Sequence, residues 1–260
     1  MARAIWKGEL LLGKHRLAVK LYSAVEDRSV HFHMLHEKDL APVEQHIVRK
    51  DTGEDVAKDE IRKAFATGGS TAVILQPEEL AKLDPPESRD IEVSRFVAPQ
   101  LLGDQWYDRP YYLGPDGDSP HYFAFSRAVE RSGKMGIARW VMRKKQYVGA
   151  LTTHEGYLVM TTLRRADQIL SFAGVQPEKP NAPRANEIKL AEQLVASITG
   201  DFDPAAWQNE YRERLCQLIE AKARGKKLAP AKVRRKATSA SLEQSLKASL
   251  AAMKKEKRVA

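Results

Sequence analysis

A cluster of cations in the second half of the chain carries the strongest chemical signal. Residues 137–151 read IARWVMRKKQYVGAL, an apolar, strand-like stretch that contains Arg139, Arg143, Lys144 and Lys145 but no Asp or Glu. Lys and Arg side chains usually lie on solvated surfaces, so one such residue carries little information. Four of them close together on a predicted hairpin favour a surface that binds the phosphates of a polyanion.

Basic residues elsewhere extend this prediction. Before residue 173 they occur on predicted strands and at turns, where charges sorted onto one face could form a phosphate-binding surface. For any one of them, a solvated surface charge is the alternative. No recognition-helix or zinc-finger pattern is present, so base readout is not predicted. The predicted phosphate contacts in this part of the chain also include Lys7, Lys14, Arg16, Lys20, Lys134, Arg164 and Arg165.

The excess positive charge lies at the end of the chain. The 260 residues include 43 Lys and Arg and 34 Asp and Glu, a formal net charge of +9. Residues 226–260 hold 11 of the basic residues and two of the acids, which leaves 43 − 11 = 32 basic and 34 − 2 = 32 acidic residues in 1–225. This tail has no aromatic residue, and its composition predicts disorder. Its predicted phosphate contacts are Lys226, Lys227, Arg234, Arg235, Lys236, Lys254, Lys255, Lys257 and Arg258.

Three histidines lie close together in HFHMLH, residues 31–36. His31 and His33 would share one face of a predicted strand, a possible metal pair. No nearby acid completes a set of three or four convergent ligands, so half-buried strand histidines are the favoured interpretation. The single cysteine, Cys216, excludes a disulfide within the chain. Because it lies among leucines, it is predicted to be an inert core residue.

Signatures of catalysis and of membrane insertion are missing from the sequence. It contains no nucleophile elbow, P-loop, dinucleotide-binding glycine motif or zinc-protease motif. We therefore predict a protein that is not an enzyme and that uses no cofactor or metal. No apolar run approaches the ~20 residues of a membrane span. The start lacks the apolar region of a signal peptide, which predicts a soluble cytoplasmic protein, associated with the nucleoid when bound to DNA.

The elements that would position these side chains are mostly strands. Mixed apolar and polar residues with β-branched and aromatic enrichment predict them, and the last three would form an antiparallel meander. Residues 106–120 are rich in aromatic residues and predicted turns, because Pro110 moves Arg109 out of the helical region and Pro115-Asp116-Gly117 is a turn sequence. Strands are predicted over 4–13, 16–24, 29–37, 71–76 (buried), 90–97, 136–142, 147–152 and 157–165, and helices over 58–69, 77–83 and 121–133.

Helical spacing replaces this pattern after residue 172. Residues 173–186 carry three prolines and are predicted to be a linker. Apolar residues at helical spacing predict helices over 187–198 and 203–225. In the second helix, Asp203 is the predicted N-cap and Pro204 follows it. Its predicted apolar stripe is Trp207, Tyr211, Leu215, Leu218 and Ile219.

Several blocks, taken in order, resemble the bacterial Ku proteins, which bind the ends of double-stranded DNA. The first are MARAIWKGELLLG, VKLYSAVED and FHMLH, and the later ones are RDIEVSRFV, WYDRPYYLGPD, GKMGIARWVMRKKQYVGAL and LVMTTLRRADQI. The last block is EIKLAEQLVASITGDFDPAAWQNEYRERLCQLIEAK. Because ordered blocks extend over residues 1–225, the resemblance is far more specific than any single motif.

The resemblance implies a mixed fold with a Ku-type β-barrel and an extended bridge in residues 1–172. Two copies would join in a symmetric homodimer that closes a ring around the duplex. Such a ring holds DNA by shape and backbone charge, without sequence preference. The cations of 139–145 would face phosphates, with Trp140 and Val148 packed behind them, and the tail would add DNA contacts.

The resemblance also implies a protein partner. Relatives recruit ligase D, the multifunctional end-joining ligase, through the C-terminal helical segment, here 187–225. The predicted docking residues are Trp207, Glu210, Tyr211, Arg214 and Leu218. The sequence departs from the family in EQHIVRKDTGEDV, residues 44–56, where many relatives carry a C-x-x-C pair and this chain has no cysteine.

Two other classes of function stay open. A basic DNA-packaging protein would coat duplex DNA without needing ends. A nuclease or another DNA-processing enzyme would need a catalytic motif, and the sequence shows none. Competition with closed circular DNA separates an end-binding ring from a packaging protein, because a ring that threads from an end ignores circles.

Overall fold

The structure of the chain, a computed structural model, describes residues 3–66, 72–171 and 184–225, together with residues 246, 247 and 249. The chain divides into two units, Met1–Ser171 and Phe172–Ala260. Most of the predicted linker and nearly all of the predicted tail lie outside the described residues. No helix in the described ranges is long and apolar enough to cross a membrane.

Strands dominate the first unit. The strands described there are β1 (Trp6–Leu12), β2 (His15–Ser23), β3 (Lys63–Ala66), β4 (Ala72–Leu75), β5 (Asp90–Val97), β6 (Tyr107–Pro115), β7 (Met135–Met142), β8 (Lys145–His154) and β9 (Tyr157–Leu163), and the α-helices are α1 (Pro77–Lys82) and α2 (Ser119–Ser132). Seven strands close into a barrel in the order β1-β2-β6-β9-β8-β7-β5. The barrel closes where β1 and β5 run parallel, and its other pairs are antiparallel. This closed barrel confirms the predicted β-barrel.

Alternation along the strands places one set of apolar side chains inside the barrel. Ile91 and Val93 are buried, as their spacing in β5 predicts. A bulge between Val93 and Arg95 accounts for the slip in that pattern. Burying an aliphatic side chain stabilises the fold by roughly 1.5–3 kcal/mol. The largest contributors to the core include Leu10, Leu21, Ile91, Leu113, Tyr122, Trp140, Leu151, Leu158 and Met160.

The aromatic stretch 106–120 is predicted to be rich in turns, but most of it is a strand, and the turn predicted at 115–117 is a bend at Asp116 and Gly117 after that strand ends. Strand β6 lies between β2 and β9, with Tyr111 and Leu113 buried. Pro110 is accommodated because a register shift separates it from Tyr107 in the pairing with β9. Pro and Gly favour turns locally, whereas pairing on both sides decides the conformation here.

Helix α2 joins β6 to β7 and packs against β8 and β9. The side chain of Asp118 caps its first turn by accepting a hydrogen bond from the amide of His121. Gly133 ends the helix in the left-handed conformation, with a φ of 61°. The helix predicted over 121–133 is therefore confirmed, with an earlier start.

A buried tyrosine fastens α2 to the barrel. The hydroxyl of Tyr122 donates a hydrogen bond to the carbonyl of Leu113 and accepts one from the amide of Leu158, at 2.9 Å. Because the ring is fully buried, these two bonds satisfy a hydroxyl that has no access to water. The helix is thereby tied to both β6 and β9.

Two turns in residues 34–56 repeat the same backbone hydrogen bonds thirteen residues apart. Each has a left-handed residue at the same place, Leu40 with φ 58° and Gly53 with φ 77°. The strand predicted over 29–37 is wrong, and these residues are almost all exposed. The repeated bonds run from Val43 to Met34, His36 to Ala41 and Leu40 to His36, and then from Val56 to Ile47, Arg49 to Glu54 and Gly53 to Arg49.

The helix predicted over 58–69 is also wrong. Lys58–Glu60 form a single 3-10 turn, and β3 follows it. Strand β4 confirms the strand predicted over 71–76, but it is exposed rather than buried because it pairs only with β3. Helix α1 is confirmed, with Pro77 at its first position.

Helix α3 (Ala185–Ile198) and helix α4 (Glu210–Ala223) belong to the second unit. The helix predicted over 187–198 is confirmed, and its earlier start removes the end of the predicted linker. The single helix predicted over 203–225 is wrong. Asp203 caps a short 3-10 turn, Pro204–Ala206, and Asn209 is the N-cap of α4.

This break changes the surroundings of two predicted residues. Trp207 lies before α4, so the predicted apolar stripe does not run along one helix. Cys216 is half-buried on α4, a helix with no buried residue among those described. The prediction that Cys216 is a core residue is therefore wrong.

Candidate nucleic-acid interface

The hairpin of β7 and β8 presents the predicted cations. Met142 and Lys145 pair across a two-residue turn formed by Arg143 (φ 51°) and Lys144 (φ 61°). Turns with positive φ at both central residues usually contain Asn and Gly there. A residue with a Cβ costs roughly 1–2 kcal/mol in this conformation. Despite that cost, the tip of this hairpin carries two cations.

Alternation along β7 separates its apolar side chains from Arg139. Trp140 is 2% exposed and stacks on Tyr147, with ring centroids 5.4 Å apart. Arg139 is exposed and pairs with Val148, which is 39% exposed. The prediction that Val148 packs behind the cations is therefore wrong, because Val148 shares their exposed face.

A neighbouring strand neutralises Arg139. Strand β5 places Glu92 directly opposite Arg139, and the Nε atom of Arg139 donates a hydrogen bond to the Glu92 carboxylate at 2.9 Å. This hydrogen bond and the charge of the carboxylate raise the pKa of Arg139. The stretch 137–151 lacks an acid of its own, but the sheet supplies one.

Most of the other predicted cations also form ion pairs with carboxylates. Asp116 lies 2.5 Å from Lys20 and 3.7 Å from Lys7, two lysines that pair across β1 and β2. The hydrogen bond between Lys20 and Asp116 raises the pKa of the lysine and lowers that of the acid. The remaining pairs are Arg16 with Glu9 (2.7 Å), Lys144 with Asp84 (2.9 Å), Arg164 with Asp108 (3.4 Å) and Arg165 with Asp167.

Most of these ion pairs are exposed, and Lys20 with Asp116 is about a third exposed, so water screens their attraction and each stabilises the fold little. A phosphate can therefore replace the carboxylate at little energetic cost. Within the described ranges, four of the predicted cations have no ion-pair partner at all. They are Lys14, Lys134, Arg143 and Lys145.

Arg164 also has a structural contact. Its guanidinium donates hydrogen bonds to the carbonyl of Gln105, at 3.0 Å, and to that of Tyr107. These bonds hold the chain that enters β6 against the end of β9. Arg164 is therefore less available to a phosphate than Arg165, whose side chain donates hydrogen bonds to the nearby Asp167.

The predicted cations do not all meet at one place. Arg143, Lys144 and Lys145 lie where β7 ends and β8 begins. Lys134 precedes the opposite end of β7. Because β1 runs parallel to β5 and β5 runs antiparallel to β7, the turn with Lys14 also lies towards that opposite end.

The histidines of 31–36 do not form a metal site. His31 and His33 are exposed and lie on no strand, so neither a strand-face pair nor half-buried strand histidines are observed. His36 instead bonds to Asp39, at 2.6 Å. No group of three or more His, Cys, Asp or Glu among the described residues could hold a metal ion.

The residues predicted to bind a protein partner are exposed in the second unit. Trp207 is 76% exposed, and Tyr211 and Leu218 are also exposed. Arg214 donates a hydrogen bond to Glu210, one helical turn away, at 2.9 Å. The unit thus presents aromatic and apolar side chains beside an exposed ion pair.

Comparison with known proteins assigns the barrel. The profile of the Ku70/Ku80 beta-barrel domain matches residues 11–190. This chain belongs to the Ku family. A relative from Anaeromyxobacter sp. (strain K), named Non-homologous end joining protein Ku, is 35% identical over 258 residues, which are 98% of this chain and 87% of that protein. The protein of the same name from Archaeoglobus fulgidus is 31% identical over 254 residues, 97% of this chain and all of that protein.

The sequence prediction missed the acidic residues that form ion pairs with the predicted cations. Glu92, Asp84 and Asp116 are distant in sequence from the basic residues they contact. One local signal existed for Glu92, because the alternation of β5 around buried Ile91 and Val93 places it on the exposed face. Asp84 lies after α1 and Asp116 lies after β6. Strand alternation therefore does not predict where their side chains point.

Proposed function

We propose that this protein binds the ends of double-stranded DNA without sequence preference and acts in non-homologous end joining of double-strand breaks. It does so as a homodimeric ring and as a binding protein rather than an enzyme. One observation carries the proposal: the residues matched by the Ku barrel profile include most of the strands of a closed barrel. Relatives over nearly the whole chain are named for end joining.

The charges of the barrel support contacts to the DNA backbone. Duplex DNA carries one negative charge per ~1.7 Å of helix axis, and each phosphate that a cation neutralises releases a counterion. Arg143 and Lys145 have no ion-pair partner among the described residues, and Arg139 has an exposed one. Such cations bind phosphates of any sequence, because phosphates carry no base information.

Exposed apolar side chains in the first unit support association with a second copy. Phe32, just before the two repeated turns, is exposed. Phe65 on β3 and Ile74 on β4 are exposed as well. Exposed apolar side chains are common at interfaces, and a closed ring needs two halves. Analytical ultracentrifugation at micromolar concentration is expected to give a dimer without DNA, and a strict monomer would contradict the ring.

Competition experiments test the end preference. A labelled linear duplex is bound first and then challenged with a covalently closed circle or with the same circle cut once. The cut circle is expected to compete and the closed circle is not, because a ring threads only from an end. Equal competition by both forms would replace this proposal with an end-independent packaging protein.

The second unit is the proposed docking site for ligase D. Trp207 and the exposed pair of Glu210 and Arg214 offer an aromatic anchor and a charged rim, a combination common at protein interfaces. Changing Trp207→Ala, or Glu210→Gln with Arg214→Gln, is expected to abolish ligase stimulation while end binding persists. Glu192→Gln on α3 is the matched control. Normal stimulation by all variants would move the docking surface elsewhere.

The tail is proposed to add affinity without adding end recognition. It holds the whole formal excess of positive charge, and tethering to a bound ring gives it a high effective concentration near DNA. Truncation after Gly225 is expected to keep the preference for ends and to lower affinity most at low salt. Superimposable gel-shift titrations of both proteins across a salt series would leave the tail without a role in binding.

A further inference from the structure

A small pocket opens beneath the tip of the β7–β8 hairpin. It encloses about 340 Å³ and is lined by Trp6, Glu87, Ser88, Arg89, Val141, Met142, Arg143 and Lys144. Three of these side chains are cationic and one is acidic. The pocket therefore combines a positive lining with an indole and the apolar end of β7.

Two of the three cations are free to bind a ligand. Arg89 and Arg143 have no ion-pair or hydrogen-bond partner for their side chains within the described ranges. Lys144 is held by Asp84 at 2.9 Å, and the nearby charge of Glu87 acts on it as well. Asp84 is thus engaged by the lysine, Glu87 makes no ion pair among the described residues, and the two guanidinium groups are left without a counterion.

The backbone places the two arginines at neighbouring strand ends, because β5 and β7 pair side by side. Arg143 belongs to the strained turn, and Arg89 lies just before β5, where its carbonyl accepts a hydrogen bond from the amide of Glu9 at 2.8 Å. A Cβ on Gly8 would lie 2.1 Å from that carbonyl and equally close to the ring of Trp6. Glycine at this position therefore lets the Arg89 segment and the Trp6 ring close on β1.

We propose that this pocket is a phosphate-binding site in which Arg89 and Arg143 hold the anion. Guanidinium groups donate paired hydrogen bonds that match the geometry of phosphate oxygens. The hydroxyl of Ser88 already accepts a hydrogen bond from the amide of Asp90, at 3.0 Å, which leaves its proton to donate to the same anion. This site deepens the proposed function and rests on it for the ligand's source, which is either a terminal or an internal phosphate of a DNA strand.

Inorganic phosphate tests the pocket without DNA. The thermal midpoint of the full-length protein is measured in sodium phosphate and in sodium chloride of equal ionic strength. Phosphate is expected to raise the midpoint of the wild type and of Arg127→Gln, which removes one arginine from the exposed face of α2, outside the pocket. The double variant Arg89→Gln/Arg143→Gln is expected to show a smaller shift, because only the general stabilising effect of phosphate remains. An equal shift in the double variant and the control would overturn the proposal.

Two duplexes of one sequence, with 5′-phosphate or 5′-hydroxyl ends, identify the source. If the double variant loses of the order of tenfold in affinity on the phosphorylated duplex alone, the site holds a terminal phosphate. Equal loss on both duplexes means that it holds an internal one. Affinity equal to that of Arg127→Gln on both duplexes would overturn the assignment to DNA. Arg89→Lys/Arg143→Lys keeps the charges and is expected to restore part of the binding, which separates ligand binding from misfolding.

The two proposals fail in different ways. A wild-type protein that responds to inorganic phosphate but does not prefer linear over circular DNA retains the pocket and contradicts the end-binding function. A wild-type protein that prefers linear DNA but whose double variant matches Arg127→Gln in both assays retains the function and contradicts the pocket.

Discussion

Arg139 and Glu92 stand directly opposite each other on adjacent strands of the barrel, and the Nε of the arginine lies 2.9 Å from the carboxylate. The two residues are 47 positions apart in sequence. Both side chains are about half exposed, so water screens their attraction. The pair thus sets how much of the positive charge of β7 is left without a counterion, and it contributes little to stability.

Removing the acid of this pair is expected to strengthen DNA binding. Glu92→Gln frees Arg139 for a phosphate and removes a carboxylate that repels the backbone. The slope of log affinity against log salt should become steeper by up to about 0.9, the value for one additional phosphate contact. Fluorescence anisotropy with a linear duplex across a salt series measures the slope. Glu130→Gln, on the exposed side of α2, is the control, and an unchanged slope in Glu92→Gln would show that Arg139 does not face DNA.

Cations without a carboxylate partner are expected to matter more than paired ones. The double variants Arg143→Gln/Lys145→Gln and Arg139→Gln/Lys144→Gln remove the same charge from the same hairpin. The first pair should weaken binding more, because Arg139 and Lys144 must first leave Glu92 and Asp84. Each lost contact is expected to flatten the salt slope by roughly 0.9. A larger loss from the paired cations would reverse this order and indicate that their ion pairs break completely on DNA.

The hydroxyl of Tyr122 is expected to stabilise the barrel. In Tyr122→Phe, the amide of Leu158 and the carbonyl of Leu113 lose their contact with the hydroxyl in a buried site. Leaving buried groups unsatisfied costs roughly 1–3 kcal/mol, which chemical denaturation measures directly. Tyr112→Phe, at an exposed position of β6, should change the free energy of unfolding little. Equal effects of the two changes would contradict the role of the buried hydroxyl.

The same tyrosine is expected to make stability fall at high pH. Burial raises the pKa of Tyr122 from 10.0 to about 12, because the phenolate loses its hydration. Since the folded pKa lies above the unfolded one, this contribution is fully present below about pH 10 and is lost as pH rises towards 12. The free energy of unfolding of wild type minus that of Tyr122→Phe should therefore decrease over this interval. A constant difference from pH 9 to 12 would contradict a buried neutral phenol.

Local patterns in the sequence predicted those elements whose environment is itself regular. Ile91 and Val93 alternate because β5 has one buried face, and Gly133 ends α2 because a left-handed residue closes a helix there. The ordered blocks also predicted the Ku barrel, which the profile match confirms. Such signals lie within a few residues, so a single sequence contains all of them.

Elements whose conformation depends on distant partners were not predictable in this way. Residues 106–120 are predicted to be rich in turns, yet β2 and β9 pair with Tyr107–Pro115 and make it a strand. Residues 29–37 carry strand-forming side chains, but no strand pairs with them over their length, and they fold into an exposed turn region instead. Propensity is local, whereas a sheet is formed by segments far apart in sequence.

The sequence by itself determined the family, the barrel strands with one buried face, and the presence of four cations on the β7–β8 hairpin. Only the tertiary structure decided which of those cations are neutralised. Glu92 reaches Arg139 through the register of β5 against β7, and Asp84 reaches Lys144 across 60 positions of sequence. The register also left Arg143 unpaired and brought Arg89 to the same pocket. Charge composition is a property of the chain, but electrostatic potential depends on distances between charges, and those distances exist only once the barrel has closed.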